Sequence, residues 1–148
     1  MGTKADQIKE FFMGPLKAID MKGLIDWAVN RHSTYALELN KRQLKVGQLD
    51  TGKPITPPYT KMTVAIKKAK GQPYNRVTLK DTGDFQDSMY MKRVRGGNEI
   101  TAFDWKTLSL SRKYGVDIFG LNDRNKGILC NRMKPDAQKQ FKSLLRHL

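Results

Sequence analysis

The feature that most constrains the fold is a glycine turn between two strand-like runs in the middle of the chain. The first run extends from Met89 to Arg95 and the second from Ile100 to Trp105, with Gly96-Gly97-Asn98 between them. Runs that contain Tyr, Val, Ile, Thr, Phe and Trp and are joined by a short glycine connection are typical of a β-hairpin. The sequence therefore predicts an antiparallel pair of strands at this point.

Before the hairpin, apolar residues recur every three or four positions, which is typical of amphipathic helices. This spacing predicts a short helix from Thr3 to Ile19, a long helix from Lys22 to Leu44 and a third helix from Thr60 to Ala69. The hydroxyl of Thr60 would cap the third helix, and Gly71 would end it. The inward face of that helix is expected to consist of Met62, Ala65, Ile66 and Ala69.

After the hairpin, helices are predicted from Leu108 to Lys113 and from Pro135 to the end of the chain, because proline suits the first position of a helix. This order indicates an α+β fold, in which helices pack on a small antiparallel β-sheet, with a long projecting loop and a β-hairpin. The length favours a single domain. Its parts would be N-terminal helices at 3–45, a loop at 46–59 and an α+β core at 60–148.

The predicted loop at 46–59 has no regular pattern, because glycine and proline interrupt it repeatedly. A loop of about 14 residues is uncommon in a compact domain and is usually functional or disordered. We therefore expect the loop to contact a neighbouring subunit. The candidate contact residues are Pro54, Pro57, Pro58 and Tyr59.

The charge of the chain suggests an anionic partner. Its 28 Lys and Arg residues against 14 Asp and Glu residues give a formal net charge of +14, which attracts polyanions. Lys67, Lys70, Arg93 and Arg95 are the candidates to contact DNA or an acidic protein. The alternative, that these charges only form a solvated surface, stays open. No apolar stretch approaches the roughly 20 residues of a membrane span, so no membrane partner is expected.

The tripeptide Asp-Thr-Gly occurs twice, at Asp50-Thr51-Gly52 and at Asp81-Thr82-Gly83. Aspartic proteases hold two carboxylates that share one proton, and apolar flanks bury that pair. Here charged residues adjoin both copies, namely Lys53, Lys80 and Asp84. Both tripeptides are therefore interpreted as turns, in which glycine takes a positive φ angle.

Other catalytic and metal-binding patterns are also missing from the sequence. His32 and His147 have no acidic or thiol group at ligand-like spacing, and Cys130 is the only cysteine and is expected to be buried. Neither a nucleophile elbow nor a phosphate-binding loop is present. We expect no enzymatic activity, no cofactor and no bound metal.

The order of the motifs carries a resemblance. Leu79-Lys80-Asp81-Thr82-Gly83-Asp84-Phe85-Gln86-Asp87-Ser88 precedes the hairpin, and Lys113-Tyr114-Gly115 and Ile118-Phe119-Gly120-Leu121 follow it. This arrangement resembles the tail-completion and virion-morphogenesis (minor tail protein Z-like) family of tailed bacteriophages. Asp117-Ile118 stands where that family has Arg-Pro. The matching residues singled out are Leu79, Asp81, Thr82, Gly83, Phe85, Ser88, Phe119 and Gly120.

The resemblance implies a structural virion protein, made in the host cytoplasm, that forms a ring at the head–tail neck or at the top of the tail. Its partners would be further copies of itself, the portal, adaptor or tail-tube proteins, and non-specifically the DNA in the lumen. The alternative function is a basic nucleic-acid-binding module, since aromatic residues near basic ones can stack on bases. The motif also has a physical interpretation. Asp81 and Thr82 would cap the turn after Gly83, and Phe85 and Met89 would anchor that turn in the core.

Overall fold

The computed structural model describes residues 3, 4, 7 and 18–148. In this part of the chain, helices surround one two-stranded antiparallel sheet, so the predicted α+β class with a small sheet and a hairpin is confirmed. The predicted helix from Thr3 to Ile19 lies largely outside the described residues, as do its apolar residues Ile8, Phe11, Phe12 and Leu16.

The long helix predicted from Lys22 to Leu44 is two helices, α1 (Met21–Arg31) and α2 (Ser33–Lys45). The chain leaves helical geometry at His32, whose φ and ψ angles are −106° and 22°. At this break the Nε2 atom of His32 lies 2.9 Å from Oδ2 of Asp136, which also accepts a hydrogen bond from Nε of Arg31. These contacts attach the break between the two helices to Asp136 of the C-terminal helix. The two helices contribute Ala28 and Ala36 to the same apolar cluster.

Helix α3 (Lys61–Ala69) begins as predicted, with Oγ1 of Thr60 accepting a hydrogen bond from the Thr63 N–H. Its predicted inward face is wrong. Met62 is 75% exposed and Ile66 is 49% exposed, and Ala65 and Ala69 are also exposed. The buried residue is Lys67, because its ammonium group donates to the Lys80 carbonyl at 2.8 Å.

The short helix α4 (Asp84–Asp87) leads into strands β1 (Met89–Val94) and β2 (Gly97–Ala102). The strands pair antiparallel, with Met89 opposite Ala102 and Val94 opposite Gly97. The predicted hairpin is confirmed, but its second strand ends at Ala102 and not at Trp105. Two residues later, the Asp104 carboxylate accepts a hydrogen bond from the Lys106 N–H, which turns the chain towards the next helix.

Helix α5 (Thr107–Tyr114) confirms the segment predicted at Leu108, and a 3-10 turn follows at Val116–Ile118. The last helix, α6, spans Asp123–Arg146, so the prediction that it begins at Pro135 is wrong. Its cap is Asn122, whose side chain accepts a hydrogen bond from the Asn125 N–H. Proline inside a helix removes one backbone hydrogen bond. The inward packing of Leu129 and Met133 nevertheless holds the helix together ahead of Pro135.

Cys130, which was expected to be buried, is exposed on α6. Its neighbours Leu129 and Met133 occupy the inward face of the helix, and residues four apart share a face while the adjacent residue does not. The position of the thiol therefore follows from the earlier start of this helix.

The loop at 46–59 has no helix or extended strand, as predicted, but it packs against the domain and forms hydrogen bonds with it. Ile55 is buried in the main apolar cluster, and its N–H donates to the Gly47 carbonyl. A single β-bridge joins Gln48 to Pro54, and the Asp50 N–H donates to the Asp117 carbonyl. The exposed residues of the loop are Val46 and the segments 51–54 and 56–58, so the loop reaches solvent in short pieces.

Candidate functional site

The segment 79–88, the first half of the motif described above, folds as a turn that leads into α4. Gly83 precedes this helix with φ at 98°, and Oγ1 of Thr82 accepts a hydrogen bond from the Asp84 N–H. The positive φ predicted for Gly83 is therefore confirmed. The predicted capping by Asp81 and Thr82 is wrong, because Gly83 is the cap residue and no side chain caps α4. The Asp81 carboxylate instead pairs with the Lys70 ammonium at 2.7 Å.

The other residues of this half fix the turn to the core and to the hairpin. Leu79, with φ at 54°, and Phe85 are both buried, as is Met89 at the start of β1. The hydroxyl of Ser88 donates to the Phe85 carbonyl and accepts from the Asp104 N–H. Ser88 thus joins α4 to the end of the second strand, and the predicted burial of Phe85 and Met89 is confirmed.

The second half of the motif lies against the first. The Phe119 ring packs on the Phe85 ring with their centroids 5.9 Å apart and a tilt of 52°. Gly120 has φ at 104°, and a Cβ atom at this position would lie 3.3 Å from the Asp50 carboxylate. The two motif segments, which are about 35 residues apart in the sequence, thus meet in the core.

The side-chain amides of Asn40 and Gln43 form hydrogen bonds with the second motif segment. The sequence did not predict this network. Asn40 accepts from the Gly120 N–H and donates to the Ile118 carbonyl, while Gln43 donates to the Gly120 carbonyl and accepts from the Asn122 N–H. Asn40 is 0% exposed and Gln43 is 2% exposed. The one available signal was their three-residue spacing on α2, but amides in an amphipathic helix usually face solvent.

The two Asp-Thr-Gly turns have different surroundings. The charged neighbours of Asp50 are Asp117 and Lys126, and burial followed by the Asp117 charge raises the pKa of the Asp50 carboxyl. The Lys70 hydrogen bond and charge instead lower the pKa of the Asp81 carboxyl. A shared-proton pair requires the two carboxylates to be adjacent. These turns do not build such a pair.

The four basic candidates divide into two groups. The prediction that Lys67 lies on a contact surface is wrong, because Lys67 is buried beside Tyr59, with its ammonium 5.0 Å from the ring centroid. Lys70 is exposed but paired with Asp81. Arg93 and Arg95 are exposed near the hairpin turn, where β1 passes from buried Met89 to solvent.

The loop candidates also divide. Pro54, Pro57 and Pro58 are exposed and stay available for a contact. Tyr59 is half-buried instead, and its hydroxyl oxygen accepts a hydrogen bond from the Thr78 N–H at 3.0 Å. Tyr59 therefore fastens the end of the loop to the domain, and the contact surface of this loop is limited to the prolines and their neighbours.

A large groove opens beside the hairpin, between β2, α5 and α6, with a volume of about 920 Å³. Three of its apolar residues are strongly exposed: Trp105 at 83%, Val116 at 72% and Leu108 at 60%. We call it the acid-lined groove, because four carboxylates line it together with a single lysine, Lys126. These carboxylates belong to Asp50, Glu99, Asp104 and Asp117.

No protein-family model, curated protein or solved structure matches this chain. Within residues 3, 4, 7 and 18–148, no helix is both long enough and apolar enough to cross a membrane. The same residues contain no group of three or more His, Cys, Asp or Glu side chains arranged to hold a metal ion. What the chain does is therefore inferred from its exposed surfaces and from the motif segments that meet in its core.

Proposed function

We propose that this chain is a structural protein of a tailed bacteriophage that forms a ring at the head–tail neck or at the top of the tail, without enzymatic activity. The observation that carries the proposal is the exposure of two separate apolar surfaces on one small basic domain. One is the acid-lined groove, and the other is the outward face of α3, with Met62 and Ile66. Large exposed apolar areas on a folded domain usually mark contacts with other proteins.

Two different contact surfaces on one chain favour a ring, because a two-fold symmetric dimer uses the same surface on both copies. A head-to-tail contact uses one surface on each copy and leaves the other surface free for the next copy, so it closes into a ring when the rotation permits. The net charge of +14 opposes non-specific association, so specific contacts would be needed. The resemblance to phage tail-completion proteins adds the biological setting, and its motif residues Phe85 and Phe119 pack together in the core.

Co-expression with the portal, adaptor and tail-tube proteins of a tailed bacteriophage that encodes this chain tests the proposal. We expect the chain to co-purify with one of these assemblies in a fixed stoichiometry, measured by native mass spectrometry and electron microscopy. Complete, DNA-retaining particles formed without the chain would contradict the proposal.

The predicted subunit contact of the loop at 46–59 can be tested by substitutions at its exposed residues. Deleting the loop would also remove Ile55 from the core. Replacing the exposed Pro54 and Pro58 by serine leaves Ile55 in place. If the loop contacts a neighbouring subunit, this double variant should fold normally but enter particles less efficiently. Unchanged incorporation would remove the prolines from the interface.

A nucleic-acid-binding module is the second candidate, favoured by the hairpin. Arg93 and Arg95 are exposed near its turn, and at its base the Tyr90 and Phe103 rings stack at 4.0 Å, with Phe103 76% exposed. If both arginines contact phosphates, replacing them by alanine should lower the salt slope of DNA binding by about 1.8, at about 0.9 per contact. Lys92→Ala on the same strand is the matched control, since Lys92 lies 3.8 Å from Glu99. An unchanged slope would exclude the arginines from DNA binding.

A further inference from the structure

Helix α3 exposes its apolar face to solvent because Lys67, on the opposite side of the helix, is buried and hydrogen-bonded to the domain. The Lys67 ammonium donates to the Lys80 carbonyl at 2.8 Å and to Oε1 of Gln72 at 3.3 Å, above the Tyr59 ring. Rotating the helix to bury Met62 and Ile66 would pull this buried charge away from its partners. A buried charge without partners is strongly unfavourable. The outward orientation is therefore built into the packing of the domain.

The exposed face has the spacing of a docking helix. Met62, Ala65, Ile66 and Ala69 stand at positions i, i+3, i+4 and i+7, which are the anchor positions of helices that insert into grooves. The helix contains no acidic residue, and it carries exposed Lys61 and Lys68. The two lysines lie at one side of the apolar stripe, and the Lys68 ammonium is 4.7 Å from the centroid of the Tyr74 ring. The stripe is therefore flanked by positive charge, and its partner should be apolar and acidic.

The acid-lined groove offers the complementary surface on the same molecule. It exposes Trp105, Leu108 and Val116 beside four carboxylates and one lysine, in a chain where basic residues outnumber acidic ones by 28 to 14. The Glu99 carboxylate at its edge also lies 3.8 Å from the Lys92 ammonium, so Asp50, Asp104 and Asp117 carry the acidic character. Burial and, second to it, the charge of Asp117 raise the pKa of the Asp50 carboxyl, so these two carboxylates repel each other within the groove. A cationic helix would relieve that repulsion.

We propose that the apolar face of α3 in one copy docks into the acid-lined groove of a second copy. This inference deepens the proposed ring and rests on it only for closure of the ring, because the pairwise contact needs no other protein. The helix cannot enter the groove of its own copy. Lys67 fixes α3 over a pocket that Leu110 and Tyr114 of α5 line, whereas the groove is lined by Thr107, Leu108 and Ser111 of α5.

Purified chain alone tests the contact, by sedimentation velocity and light scattering over a range of protein concentrations. The wild-type chain should form species larger than the 16.9 kDa monomer as the concentration rises. Ile66→Asp on the helix and Leu108→Asp in the groove should each weaken this association by at least about tenfold, because each places a carboxylate at a docked apolar anchor. Wild-type protein that stays monomeric at its solubility limit would overturn the proposal.

The matched control is Ile25→Asp on α1. Ile25 is 55% exposed, close to the 49% of Ile66, but it lies outside both surfaces. This variant should associate like the wild type, and association that it weakens as much as Ile66→Asp would overturn the proposal. Thermal unfolding verifies that the variants are folded, and Met62→Asp and Trp105→Ala serve as second variants of the two surfaces.

Mixing the two single variants tests the head-to-tail arrangement. The Ile66→Asp chain keeps a working groove, and the Leu108→Asp chain keeps a working helix, so an equimolar mixture should form one contact and stop at a dimer of twice 16.9 kDa. A mixture that remains monomeric, or a single variant that dimerises as strongly alone, would overturn the proposal. Because no virion is involved, normal association without entry into particles would refute only the proposed function.

Discussion

The two Asp-Thr-Gly turns have the same three residue types and a glycine with a positive φ angle, but they differ in burial and in the residues that they contact. Gly52, with φ at 80°, is exposed, and a Cβ atom there would meet nothing within 4 Å. Gly83, with φ at 98°, is buried at the start of α4, where a Cβ atom would lie 3.5 Å from the Asp87 carboxylate. The first turn begins an exposed part of the loop, whereas the second leads into a helix whose Phe85 lies in the core.

Their carboxylates differ as well. Asp50 lies in the acid-lined groove beside Asp117, while Asp81 forms a 2.7 Å ion pair with Lys70 at the C-terminal end of α3. The tripeptide thus sets the backbone turn, and residues distant in the sequence set the chemistry of its carboxylate. A repeated tripeptide alone is therefore weak evidence for a paired catalytic site, and the following predictions separate the two turns.

The largest effect is expected for Gly83→Val. A β-branched residue at positive φ is strained, so the free energy of unfolding should fall by about 1–3 kcal/mol. Gly52→Val introduces similar local strain, but its exposed turn can relax, and its loss should be smaller. Urea or thermal unfolding of both variants measures the difference. Equal losses would mean that the burial of Gly83 contributes nothing.

A smaller effect is expected for Gly120→Ala, which would act on the first turn through direct contact with Asp50. Its φ of 104° disfavours any side chain, and the new Cβ would lie 3.3 Å from Oδ2 of Asp50. The variant should lose about 1–2 kcal/mol of unfolding free energy. Pairing it with Asp50→Ala shows how much of the loss comes from this contact, since removing the carboxylate should restore part of the stability. No restoration would assign the whole loss to backbone strain.

The two carboxylates should respond to pH in opposite directions. The pKa of Asp81 is lowered in the folded chain, so its stabilisation is present above the unfolded value of about 3.9 and is lost as the pH falls through the folded pKa. The pKa of Asp50 is raised, so its cost is present above the folded pKa and disappears below the unfolded one. At neutral pH, Asp81→Asn should lower the melting temperature and Asp50→Asn should raise it.

Both differences should vanish in strong acid, where all the carboxyls are protonated. Melting curves of the two variants and the wild type between neutral and acidic pH measure them. Shifts of the same sign at neutral pH would contradict the assignment of different surroundings to the two turns.

No effect at all is expected on hydrolysis. Because the carboxylates of the two turns have separate neighbours, Asp81→Asn should leave any peptide turnover at acidic pH unchanged, and Asp50→Asn should do the same. Cleavage of a mixed peptide library, followed by mass spectrometry, is the measurement. Turnover that is lost in both variants would revive the protease interpretation.

Local signals in the sequence determined much of the fold. Gly96 and Gly97 between two β-forming runs gave the hairpin, the Thr60 hydroxyl gave the start of α3, and Gly83 gave the turn before α4. Each of these features depends on residues within a few positions of one another. Backbone preference and short-range hydrogen bonds decide such features without help from the rest of the chain.

Only the tertiary structure decided which faces are buried and which carboxylates are paired. The apolar spacing of α3 predicted that Met62 and Ile66 face inward, but the Lys67 ammonium reaches a carbonyl thirteen residues away and turns them outward. Asn40 and Gln43 are buried because their amides satisfy backbone groups about 80 residues later in the chain. Periodicity records only whether a side chain is apolar. It cannot show that a polar group will find its partner in a distant segment, and such partners determine both the core and the exposed surfaces of this protein.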